Sequence, residues 1–142
     1  MSTATVTAAP TTRPRAARWA LGVLQVLLAA VYLFSAAGKI SLEPTVVAGF
    51  AMMGIGAAGT VALGVVELAA AIGLLVPRLA GLAATGCVAL MTGAVIITAI
   101  TVGGAMILVP AVVLVLVAVV AWVRRHETVA LLRNPRAVLF AR

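Results

Sequence analysis

From Ala105 to Ala121 not one side chain carries a polar group. Continued through Trp122 and Val123, the run comes close to the length of about 20 residues that an α-helix needs to cross the hydrocarbon of a bilayer. Three more stretches approach that length, at residues 19–37, 57–76 and 79–100. The chain is 65% hydrophobic and only 9% charged over 142 residues, with a mean hydropathy of +1.29. A soluble domain of this size lacks the interior to hide so much apolar surface. The expected architecture is an all-α integral membrane four-helix bundle in a single domain.

The charges sit at the edges of these spans. The formal net charge of +7 invites comparison with nucleic-acid binders. Yet the basic residues other than Lys39 lie at or before Arg18, in the Pro77-Arg78 turn, or from Arg124 onward. That distribution is a topology signal rather than a nucleic-acid groove. With both termini inside, only Lys39 falls on the far side, so both termini are expected in the cytoplasm. Residues 1–17 lack a hydrophobic pattern and are expected to be disordered. Ser35-Ala36-Ala37 resembles a signal-cleavage site, but the run from Trp19 to Ala37 is longer than a signal peptide's apolar core, so the first span is expected to remain uncleaved. The basic segment 124–142 is expected to lie on anionic headgroups, with His126 as a surface residue. Trp19 and Trp122 fall at the expected cytoplasmic boundary.

Each span has a distinctive face. Arg18, Gln25, Tyr32 and Lys39 recur every seven residues on the first span, with Gly22, Ala29 and Ala36 beside them. Thr60, Gly64, Glu67, Ala71, Leu74 and Arg78 share a face of the second. These two small, polar stripes are expected to meet, either as a packing face or as a ligand-lined one. Between them, Pro44 opens a predicted amphipathic surface helix with Val46, Val47, Phe50 and Met53 on one side and Gly54 as its cap. The Met52-Met53 pair reads as soft packing, not a metal site. On the third span Thr85, Thr92, Gly86 and Gly93 suggest a close-packing seam. On the fourth, Pro110 suggests a bend.

Chemistry is scarce. The single cysteine, Cys87, excludes an internal disulfide and any two-cysteine redox motif. No histidine pair for haem, zinc ligand set, phosphate loop or Ser-His-Asp set is present. What remains is Glu67, alone near the middle of an apolar span. A carboxylate there costs about 2.5–3.5 kcal/mol on insertion scales, so it calls for a partner or a task. The candidate pocket around it comprises Gln25, Tyr32, Ser35, Lys39 and Gly64. By helical rise, Lys39 lies ~12–15 Å from Glu67 along the bilayer normal. Lys39 is therefore expected at the rim, where Glu43 is four positions away. Burial without a cation favours the neutral acid, so Glu67 is expected to donate a hydrogen bond to Gln25. A direct Lys39–Glu67 bridge requires the lysine to reach inward or the second span to sit higher.

Phe34-Ser35-Ala36-Ala37-Gly38-Lys39-Ile40, the run from Gly64 through Glu67-Leu68 to Gly73-Leu74-Leu75-Val76-Pro77-Arg78, and Met91-Thr92-Gly93-Ala94-Val95 together resemble the DoxX-like family of small four-helix bacterial membrane proteins. The resemblance covers roughly residues 20–120. It implies the bacterial cytoplasmic membrane and an association with redox complexes: quinone-reducing sulfur enzymes, or a thiol-stress assembly with superoxide dismutase and a sulfurtransferase. Many members carry a histidine after the third span's Ala-Val; here the residues are Ile96-Ile97-Thr98-Ala99, so the resemblance assigns no redox step to this chain itself.

Two classes of function stay open. One is a membrane subunit or anchor of a redox assembly, with no covalent cofactor and a quinone or lipid beside Glu67. The other is a small proton-coupled transporter, against which stand a carboxylate in the second span, few aromatics and a strong charge bias. A purely structural scaffold is the third option. The expected partners are the lipid bilayer and redox proteins, and a homo-oligomer is compatible with the sequence.

Overall fold

The computed structural model describes residues 14–133. The tail through Arg13 and the segment 134–142, with Arg136 and Arg142, lie outside the described residues. Five α-helices follow in order: α1 (Arg15–Ile40), α2 (Pro44–Met52), α3 (Ala57–Leu75), α4 (Ala80–Thr101) and α5 (Leu108–Arg133), with a 3-10 turn at Gly104–Ile107 before α5. Four of them, α5 counted with that turn, are long and apolar enough to cross a membrane.

α1 packs chiefly on α3, and α4 on α5. The α3–α4 contact is lighter, and the α1–α5 contact sparse. The Pro77 carbonyl in the α3–α4 turn and Gln25 of α1 both accept hydrogen bonds from Arg124 of α5. The start of α1, the α3–α4 turn and the last part of α5 therefore share one end of the bundle, the terminal end. α2 and the α4–α5 connection occupy the opposite end.

Large apolar side chains face outward: Phe34 is 84% exposed and Ile100 77%. The interior is built from Leu28, Ala29, Tyr32, Ala71, Ala84, Val117 and neighbours, together with buried Gln25, Lys39, Thr60, Glu67, Thr98 and Thr128. This is the arrangement of a chain whose solvent is lipid, where close packing and interhelical polar contacts associate helices that hydrophobicity alone would leave apart. The predicted faces of the first and second spans are the ones turned inward, with Ala29, Tyr32 and Ala36 buried on α1 and Thr60, Gly64, Glu67, Ala71 and Leu74 on α3. At Gly64 α3 comes close to α1: a Cβ there would lie 2.9 Å from Lys39 Cβ and 3.2 Å from the Ala36 carbonyl.

α2 forms as predicted, with Pro44 in its first turn and Val46, Val47, Phe50 and Met53 half-buried on one side. Its end is a Schellman cap: Ile55 N–H donates to the Phe50 carbonyl and Gly54 N–H to that of Ala51, with Gly54 at φ 76°. α1 ends the same way, Glu43 N–H donating to Gly38 and Leu42 N–H to Lys39. There the left-handed position is held by Leu42, at φ 54°.

Three expectations are corrected. The Gly86 and Gly93 seam does not pack, since nothing lies within 4 Å of a Cβ at either position. The Thr85 and Thr92 hydroxyls donate back to their own helix, at the Gly81 and Val88 carbonyls. The buried face of α4 is instead Ala80, Gly81, Ala84, Cys87, Met91 and Thr98. Its closest approach is at Gly81, where a Cβ would meet the Arg124 carbonyl at 2.9 Å. Pro110 falls in the first turn of α5, where proline's missing N–H breaks no intrahelical bond. Finally, the last span does not stop at residue 123. α5 continues to Arg133 because Val117, Val120, Arg124, Thr128 and Leu131 form one stripe at 3–4 spacing, and its members Thr128 and Leu131 stay buried beyond the apolar run.

Candidate functional site

Glu67 and Lys39 find each other inside the bundle. Lys39 Nζ donates to Glu67 Oε2 at 2.8 Å and to Oε1 at 3.0 Å. Both side chains are over nine-tenths buried. The expected hydrogen bond from a neutral Glu67 to Gln25 is therefore corrected, and so is the Lys39–Glu43 rim contact: Glu43 accepts from the Thr45 hydroxyl instead. Two displacements close the predicted gap. α3 stands further from the terminal end than assumed, so that Gly64 lies level with Ala36, Lys39 and Ile40. Glu67 is then about one turn below, toward the terminal end. The lysine stem leans back along α1, and Nζ also donates to Ser35 Oγ, one turn earlier. Side chains on a helix point toward its N-terminus, which favours this lean.

The pair is enclosed. The Phe50 ring of α2 lies 5.3 Å from Lys39 Nζ, presenting a π face to the cation. Gly64 is what lets α1 come close enough for the contact. Tyr32 is buried in the core with Cys87. The Tyr32 hydroxyl has no hydrogen-bond partner in the structure. Of the residues expected around Glu67, then, Lys39 and Ser35 bind directly or through the lysine, Gly64 and Tyr32 shape the surroundings, and Gln25 lies elsewhere.

Gln25 belongs to a second polar cluster at the terminal end. Its Oε1 accepts from Arg124 Nη2 at 2.9 Å. Arg124 Nη1 reaches the Pro77 carbonyl at 3.3 Å and Glu127 Oε2 at 2.6 Å. One guanidinium thus ties α5 to α1 and to the α3–α4 turn. By sequence alone Arg124 reads as part of a surface tail. The stripe it shares with Val117 and Val120 is the signal for its inward placement.

Among the described residues, no three His, Cys, Asp or Glu side chains gather into a metal-binding group. Cys87 is a free, buried thiol. What the geometry at Lys39 and Glu67 does is mechanical and electrostatic: it neutralises a buried acid and fixes α1 against α3.

A family model described as the DoxX-like family matches residues 23–134. The chain belongs to the DoxX-like family. The match begins in α1, spans every later helix and takes in the extension of α5 beyond the apolar run. No curated protein and no solved structure matches the chain. With four apolar helices of spanning length, this DoxX-like chain is an integral membrane protein.

Proposed function

We propose that this DoxX-like protein is a membrane subunit or anchor of a redox assembly, quinone- or thiol-linked, that supplies contacts and not chemistry. The observation that carries this reading is the commitment of Glu67. Both carboxylate oxygens accept from Lys39 Nζ, so the acid buried in the bundle is occupied in holding two helices. A protein of this design offers partners a rigid intramembrane surface. Its non-covalent ligand is a quinone or lipid, and its setting is the bacterial inner membrane with both termini cytoplasmic, as the charge distribution favours. Family membership supports the redox context.

The second reading, a small proton-coupled transporter, draws on the same pair, because ionisable groups within spans mark ion pathways in many carriers. In that case Lys39 and Glu67 would part during turnover. The test is isolation of the tagged full chain from native membranes in lipid-retaining polymer discs. Dehydrogenase, sulfurtransferase or quinone-reactive subunits recovered in near-stoichiometric amounts support the proposal. The chain recovered with lipid alone refutes it.

A further inference from the structure

The sparse contact between α1 and α5 leaves a groove at the terminal end, with a volume of about 1140 Å³. Its polar lining is Arg15, Arg18, Arg124, His126 and Glu127. Glu127 is ion-paired with Arg124, and the Arg15 and Arg18 side chains are exposed. The groove therefore carries a surplus of positive charge. The rest of its lining is largely apolar, with Leu21, Val26 and Val123 among the residues. Trp19 also lines it, and at this same end Trp19 and Trp122 are 76% and 71% exposed. Indoles so placed mark the headgroup level of a bilayer.

A second observation is a shortage of acceptors at the groove wall. Gln25 is only 5% exposed, yet its Nε2 has no hydrogen-bond partner, and neither has the buried Nε of Arg124. The amide orientation is fixed, since an arginine has only donors and must meet Oε1. Arg124 lines the groove and Gln25 is hydrogen-bonded behind it, so two buried donors stay unsatisfied in the polar unit at the groove wall. An unmade buried hydrogen bond is costly, so this wall of the groove is rich in donors and short of acceptors.

We infer that this groove between α1 and α5 binds one anionic phospholipid, its phosphodiester among Arg15, Arg18 and Arg124 and an acyl chain along Val26 and Val123. The inference is independent of the redox assignment. A headgroup phosphate supplies acceptors for the guanidinium groups, and a diacyl lipid fills an apolar wall that a free phosphate would leave bare.

Gly22 offers a steric test. It lines the groove, and nothing lies within 4 Å of a Cβ there. Gly22→Leu should project a side chain into the groove with every charge intact and without disturbing the packing. The full chain, in a Trp122→Phe background, is reconstituted in phosphatidylcholine vesicles containing phosphatidylglycerol, with one or the other lipid brominated. Brominated phosphatidylglycerol should quench Trp19 more than brominated phosphatidylcholine at equal mole fraction. Arg15→Gln and Arg18→Gln should each lower that preference about fivefold, and Gly22→Leu should lower it by crowding the groove. Equal quenching by the two lipids would overturn the inference. So would a preference unchanged by Gly22→Leu, or one equally strong at Trp122 in a Trp19→Phe background, since either would report only lipid enrichment at a basic surface. Displacement of the preference by inorganic phosphate at constant ionic strength would assign the site to a free anion and overturn the lipid assignment.

Discussion

The two polar clusters of this bundle are built from similar parts and end in opposite states. Near the opposite end, Lys39 and Glu67 satisfy each other, with Ser35 and Phe50 completing the shell. At the terminal end, Arg124 makes three contacts but leaves its own Nε and the Gln25 amide nitrogen unpaired. The difference follows from how the helices approach. α1 and α3 are drawn together at Gly64, and the buried ion pair closes between them. α1 and α5 barely touch, so the arginine cluster opens into a groove. Closure makes a polar group a structural tie; separation leaves it available.

The sharpest way to break this contrast is at Gly64. Gly64→Leu puts a side chain where even a Cβ would be 2.9 Å from Lys39 Cβ and Ile40 Cγ1. It should abolish folded protein by forcing α1 from α3. Val66→Leu, at a position 51% exposed, should fold normally. Equal melting temperatures in detergent would show that the closed end is not closed. Next in size, Glu67→Ala leaves a buried lysine cation unpaired and should cost about 3–5 kcal/mol in unfolding experiments. Gln25→Leu at the open end should cost only about 1 kcal/mol, because the lost bond to Arg124 is partly offset by removing an unsatisfied donor. A larger loss for Gln25→Leu than for Glu67→Ala would invert the comparison. The smallest effect is expected at Leu42. A left-handed leucine caps α1 where α2 uses Gly54, so Leu42→Gly should gain about 0.5 kcal/mol in thermal unfolding, relief of strain exceeding the added chain entropy. A loss would mean that Leu42 contributes a contact of its own.

The fold was legible because lipid imposes simple rules. Four apolar runs, the Pro77-Arg78 turn, the Pro44 start and the Gly54 cap were each readable from residue type, and the inward faces of α1 and α3 followed from their spacing. What escaped was vertical register. Helical rise gives heights along each helix but not the offset between helices, and that offset decided whether Glu67 met Gln25 or Lys39. The lean of the lysine stem is also invisible to counting by residues. On α4, the Thr and Gly repeats suggested packing, but Ala80, Gly81 and Ala84 made the contact because α5 approaches that side. The extension of α5 was hidden by composition: Arg124, Arg125 and His126 looked like a tail, while the 3–4 stripe through Thr128 and Leu131 continued beneath them.

The claim at the centre of this account is that Lys39 and Glu67 act as one unit that ties α1 to α3. A double-mutant cycle tests it most directly, with unfolding free energies measured for Lys39→Met, Glu67→Leu and the pair together. Each single change should cost about 3–5 kcal/mol, because each strands a buried charge. The double variant, with an apolar pair of similar volume, should recover most of that loss and fold with near-native stability. Costs that simply add, to within about 0.5 kcal/mol, would mean that the two residues act independently and would contradict the account.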